Sequence, residues 1–200
     1  MASGSKRRFP RFSFNAPVVL SFTLLCIAAQ ILNMLTRGGS NRALFSVYPS
    51  SALNPLTYLR LVLHVIGHAD WDHLFSNMLY FLILGPMLEE KYGSKNLIYV
   101  MLAVAVVTGV LSIILFPHVR LLGASGIVFA FILLSSITAR EEGTIPLTFV
   151  LVAVLYLGQQ IYEGIFVHDN VSQITHIAGG AVGSCLGFIL TRSAGRKGRG

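Results

Sequence analysis

The sequence predicts an all-α integral membrane protein, a bundle of six transmembrane helices with an interfacial first outer connection. Three observations lead there. The 200 residues are 54% hydrophobic and only 12% charged, and the charges cluster between apolar runs too long for the buried helices of a small soluble domain. A crossing needs roughly 20 predominantly apolar residues, and hydropathy marks runs near 16–36, 73–88, 95–116, 122–139, 145–163 and 174–191. Basic residues are then distributed unequally between alternate connections.

Taken in order, residues 1–15 are a basic tail, and the first run is expected to be a retained anchor. It is long for the apolar part of a signal peptide, and no convincing small-residue cleavage site follows it. The longest connection comes next. Its segment LNPLTYLRLVLHVIGH places Leu56, Leu59, Leu63 and Ile66 at helical spacing but is interrupted by Pro55, His64 and His68. That pattern suits an amphipathic piece lying in the outer interface. The second run opens on His73 and Asn77, and EEKYGS leads to the third. FPHVR leads to the fourth, which opens on RLLGASGIVFAF, and REEGTIP leads to the fifth. Pro146 stands at the opening of the fifth run, where a missing backbone donor is tolerated. GIFVHDN precedes the sixth run, with its ladder of Gly179, Gly183 and Gly187, and residues 192–200 form a second basic tail. The six runs make one domain, 16–191, without an internal repeat.

Net charge is +7, from 15 Lys and Arg against 8 Asp and Glu. Its placement marks topology and not a nucleic-acid partner. With six crossings, Lys6, Arg7, Arg8, Arg11, Lys91, Lys95, Arg140, Arg192, Arg196, Lys197 and Arg199 share one side, and only Arg37, Arg42, Arg60 and Arg120 lie on the other. The positive-inside rule then puts both termini in the cytoplasm. The tails are read as attracted to the lipid surface. Cys26 and Cys185 each fall inside a predicted span, so no disulfide framework is expected.

Polar groups inside a span are costly and face the protein interior, which makes them default functional candidates. His73 and Asn77, four apart, share one helical face. Ser125 stands near the start of the fourth span, five residues past Arg120, or roughly 8 Å deeper at the helical rise. His176 stands near the start of the sixth. With both termini inside, the second, fourth and sixth spans all begin at the outer surface, so these four side chains lie at similar depth. A hydroxyl, an imidazole to take and return its proton, and neutral donors aimed at a developing oxyanion are what acyl transfer requires. Asp169 and Glu163 lie at loop ends, which favours a Ser125/His176 dyad over a triad. Gly179 and Gly183 on the sixth helix, with Gly126 and Ala130 on the fourth, permit close backbone packing. Phe129, one turn past Ser125, is a core ring by default and can pack on His176.

These residues resemble the rhomboid family of intramembrane serine proteases across about 16–191. GASG matches the G-x-S-G nucleophile motif, HLFSN from His73 to Asn77 matches H-x-x-x-N, and HIAGGAVG from His176 matches H-x-x-G-x-x-x-G. The resemblance implies a six-helix rhomboid-like bundle that cleaves transmembrane protein substrates near the outer face; a short six-helix core without extra domains suits a bacterial inner membrane, with a eukaryotic secretory-pathway membrane the alternative. Ser125 would be the nucleophile and His176 the base, with no cofactor and no metal. It also implies that His73 and Asn77 line an oxyanion hole with the backbone near Gly123 and Ser125. His68 would be interfacial and structural, Arg60 the arginine of a Trp-Arg pair whose tryptophan is here Leu59, and Glu89 a helix-end anchor. Phe129 stands where many members have a tyrosine.

Two other readings compete. One is a rhomboid-like binder of membrane helices that does not cut. The other is a metal transporter with an outer site of His64, His68, Asp70, Asp72 and His73, since two histidines four apart on a helix can reach one ion.

Overall fold

The computed structural model describes residues 15–138 continuously and, beyond them, Leu147, Val150, Leu151, Val154, Leu155, Gly158, Gly179 and Cys185. Six helices lie in the continuous part: α1 (Pro17–Leu35), α2 (Gly39–Ala43), α3 (Pro55–Leu63), α4 (Trp71–Tyr92), α5 (Ser94–Leu115) and α6 (Ser125–Thr138). The first four predicted runs correspond to α1, α4, α5 and α6. The runs at 145–163 and 174–191 lie outside the described residues apart from the positions just named. Among the described helices, α1 and α5 are long and apolar enough to cross a membrane by length and composition. α4 is as long as α5, but its apolar stretch is diluted by His73, Asn77, Glu89, Glu90 and Lys91.

α1 and α4 pack antiparallel, and both ends of the pair are tied. α1 opens on Pro17 with no side-chain cap of its own, which leaves its first N–H groups in need of acceptors. Glu89, in the last turn of α4 and only 4% exposed, supplies them: Val18 N–H and Val19 N–H each donate to one of its carboxylate oxygens at 3.0 Å. The negative charge also suits the positive end of the α1 dipole. Ser94 Oγ donates to the same carboxylate at 2.7 Å and so joins the start of α5 to the knot. One turn before Glu89, Gly85 lets the helices approach: a Cβ there would stand 2.7 Å from Val19 Cγ2. At the far end, Trp71 Nε1–H donates to Met34 Sδ.

α6 is the centre of the bundle. Ile127, Val128, Ala130, Phe131, Ile132 and Leu134 are all fully buried, between α4 and α5, and Phe131 stacks on Phe81 of α4 at 5.1 Å.

Two expectations change. Hydropathy starts the fourth run near 122, yet the helix starts at Ser125. Leu121 is held extended by mutual N–H to C=O pairing with Val47, at 2.9 and 3.0 Å, and Gly123 takes φ +124°, so no helical rise runs from Arg120 to Ser125 and the 8 Å spacing does not apply. The segment expected to lie in the interface instead descends beside α5. α3 starts on the Asn54 side chain, which accepts from Leu56 N–H, and its C-cap His64 donates from Nε2 to Ala105 O at 3.0 Å. Ala105 is ten residues from the end of α5, about 15 Å along the axis. A helix lying flat at the end of α5 would not bring the His64 ring to Ala105 O.

Candidate active site

Backbone bonds fix the loop before α6 at two points. Leu121 pairs with Val47, and Gly123 N–H donates to His64 O at 2.9 Å. The chain then enters α6 through Gly123, whose positive φ disfavours most side chains. Ala124 O accepts from Val128 N–H in the first bond of the α6 ladder. Ser125 is thus the first residue of the helix, and its N–H, with those of Gly126 and Ile127, precedes the intrahelical bonds.

His73 reaches this turn from α4. Asp70 caps α4 by accepting from His73 N–H at 2.8 Å, which sets the first turn and the direction of the His73 side chain. A Cβ placed on Gly123 would stand 2.8 Å from His73 Cε1, 2.9 Å from Nε2 and 3.9 Å from Ser125 Oγ. The imidazole edge and the serine hydroxyl therefore face one small space that only a glycine leaves open. Ala69 N–H points at His73 Nδ1 at 3.4 Å. That assigns the ring proton to Nε2, the nitrogen nearest Gly123. One turn on, Asn77 is 3% exposed and its Nδ2 donates to His73 O at 2.9 Å, a bond that uses one of the two amide hydrogens.

Two more histidines back the site. His68 is fully buried, donates from Nδ1 to Ile66 O at 3.1 Å, and meets the His73 ring edge-on at 5.1 Å. Burial, and next the field of His73, push its pKa down to about 3. Burial pushes His64 down to about 4, against the pull of the Ala105 carbonyl. Each ring donates its single proton to a backbone carbonyl. Among the described residues, His64 Nδ1 and His68 Nε2 are buried without a hydrogen-bond partner, so a second proton would create an unpaired interior charge.

The alternative metal set is not assembled. α3 ends at Leu63, so His64 and His68 do not share a helical face, and their donors are already turned to different carbonyls. Among the described residues no three His, Cys, Asp or Glu side chains are grouped to hold an ion.

Of the other sequence candidates, Phe129 is buried at 9% exposure and Glu89 ties α1 to α4 and α5. Arg60, 6% exposed, donates from Nε to Ala43 O at 3.0 Å and lies over the Tyr48 ring. Leu59 is half exposed. Gly179 is buried and lies directly on α6: a Cβ there would be 2.6 Å from Gly126 O and 3.0 Å from Gly126 Cα. His176 and Gly183 lie outside the described residues, as do Glu163 and Asp169. Sequence reasoning missed Val47, whose pairing with Leu121 is made by backbone atoms and leaves no side-chain signal. It also passed over the His64 carbonyl and Tyr48; an aromatic residue among arginines of one connection was the available clue for the latter.

Residues 55–193 match the sequence profile of the Rhomboid domain. The chain is 27% identical over 184 residues to proteins named Rhomboid protease GlpG from Yersinia pestis (strain Pestoides F) and Yersinia pseudotuberculosis serotype O:3 (strain YPIII). It is 25% identical over the same length to the protein of that name from Yersinia enterocolitica serotype O:8 / biotype 1B. The alignments take in 90% of this chain, which spans 65% of the length of these curated relatives.

Proposed function

The chain belongs to the rhomboid family, an assignment that makes it an all-helical membrane protein, and from that premise we propose that it is an intramembrane serine endopeptidase acting through a Ser125/His176 dyad. The observation that carries this is the convergence of the Ser125 hydroxyl and the His73 ring on the space at Gly123. The seat of Gly179 on Gly126 supports the second half of the dyad, because His176 precedes Gly179 by only three residues in the sequence.

In this reading Ser125 Oγ attacks the carbonyl carbon of a substrate peptide bond while His176 takes the hydroxyl proton. The oxyanion is met by the N–H groups at the head of α6, the Asn77 amide and His73 Nε2–H. His176 then gives its proton to the leaving amine, and water, activated by the same imidazole, releases the acyl group and restores Ser125. The substrates are transmembrane proteins cut near the side where α4 and α6 begin. That side is the outer face if both termini are cytoplasmic; the named relatives are bacterial, and a bacterial inner membrane is the setting of this reading. No cofactor or metal is required by these steps.

Labelling of the folded, detergent-solubilised protein with a fluorophosphonate tests the reading. Label is expected in the native chain and absent in Ser125→Ala and in His176→Ala. A folded native chain that takes no label would overturn the protease reading and leave a binder of membrane helices.

A further inference from the structure

Beside the nucleophile loop, two guanidinium groups share one aromatic ring. Arg60 Cζ lies 4.6 Å and Arg120 Cζ 5.1 Å from the Tyr48 centroid. The two charges are therefore within about 10 Å, one Debye length at 0.1 M salt. The arrangement is built in, because Val47 pairs with Leu121, and these are the residues next to Tyr48 and Arg120. Tyr48 is further held by donating from its hydroxyl to Arg42 O at 3.0 Å, beside a third, exposed arginine.

Structure alone accounts for Arg60, which is buried and bonded to Ala43 O. It does not account for Arg120. That side chain is exposed, gains only modestly from resting on a half-buried ring, and is repelled by the buried Arg60 charge on the same ring. Among the described residues neither guanidinium has a carboxylate partner. A bound anion would relieve the repulsion and use the unoccupied donors of a side chain suited to forked carboxylate binding. The position selects which anion. Arg120 is three residues before Gly123 and five before Ser125, and the pairing of Leu121 with Val47 holds it in the loop that leads to the serine, so the anion at hand is a carboxylate on a polypeptide bound at that loop.

We propose that Arg120, held on Tyr48 beside Arg60, is a specificity-determining residue that receives a carboxylate side chain of the substrate polypeptide, close to the cut bond on the side where α4 and α6 begin. The inference rests on the protease reading.

The test uses model substrates with one apolar span and, on that side, Asp, Asn or Lys at each of the six positions bordering it, cleaved by the solubilised protein and in vesicles of neutral lipid. At one or more positions Asp should exceed Asn in kcat/KM by about fivefold, chiefly through KM, with the ratio shrinking as salt is raised. Arg120→Glu should prefer Lys over Asp at the same position, and Arg120→Gln should lose the discrimination. Ratios near unity at every position in the native chain, or a native ratio kept in Arg120→Glu, would overturn this inference and leave the protease reading intact. Failure of the folded native chain to cut any of the substrates would overturn both. A rate that follows added anionic lipid and not substrate charge, and loses that dependence in Arg120→Glu, would assign the pair to a headgroup and overturn the inference alone.

Discussion

A methyl group on Gly123 would have to enter the space held by the His73 ring, 2.8 Å from Cε1 and 2.9 Å from Nε2, on a backbone whose φ of +124° already disfavours a side chain. Two responses are open to the protein, and they differ in what they damage. The turn can relax towards negative φ, which pulls on the Gly123 N–H bond to His64 O, or the imidazole can swing away. Either costs about 1–3 kcal/mol locally, a modest loss for a bundle whose core the substitution does not touch. Under the proposed mechanism both move an oxyanion donor, and losing one such donor costs about 100-fold or more in rate. Gly123→Ala is therefore expected to lower the thermal midpoint by a few degrees and the rate of fluorophosphonate labelling by at least about 100-fold. Labelling at the native rate in the folded variant would show that the turn does not hold His73 and Ser125 in register.

Among the elements, α1 and α4 depend on one side chain at a distance from the site. Removing Glu89 by substitution with Ala strands the N–H groups of Val18 and Val19, both of which it caps at 3.0 Å, and the hydroxyl of Ser94. Each buried donor left without a partner costs about 1–3 kcal/mol. Glu89→Ala should lower the midpoint sharply, Glu89→Gln should fall between because an amide oxygen still accepts, and the labelling rate of the surviving folded fraction should be native in both. A Glu89→Ala protein as stable as the native would mean that α1 is held by its apolar face alone. This anchor was readable from the sequence only through the family resemblance, since the spacing between residue 18 and residue 89 carries no periodic signal. The His73–Asn77 pair was legible because four-residue spacing places two side chains on one helical face. The start of α6 was misread by three residues because hydropathy does not register the positive φ of Gly123 or the pairing of Leu121 with Val47. The descent of α3 was hidden for a related reason: the partners of Arg60 and His64 are the carbonyls of Ala43 and Ala105, and a backbone acceptor looks the same at every residue.

At the scale of the whole molecule, His64 joins three parts of the bundle. Its ring is bonded to mid-α5, its backbone closes α3, and its carbonyl holds the turn that presents Ser125. The folded pKa is pushed down to about 4, and that of His68 to about 3, both below the ordinary 6.5. The unfolded chain therefore takes up protons first as the solution is acidified. The contribution of the two neutral rings to stability is complete above about pH 6.5. It is lost as pH falls towards 4 for His64 and towards 3 for His68, at about 1.4 kcal/mol per pH unit for each ring well inside that window. The thermal midpoint of the solubilised protein should accordingly be level between pH 7 and 8 and decline steadily from pH 6 to 4.5, reversibly on return to neutral pH. His64→Gln supplies a side-chain donor for Ala105 O without a titrating nitrogen, so it should flatten part of that decline while lowering the midpoint at pH 7.5. A native midpoint that does not move between pH 7.5 and 4.5 would mean that protonation of these rings is met by water inside the bundle, and that the link from α5 through His64 to the serine turn is looser than its hydrogen bonds indicate.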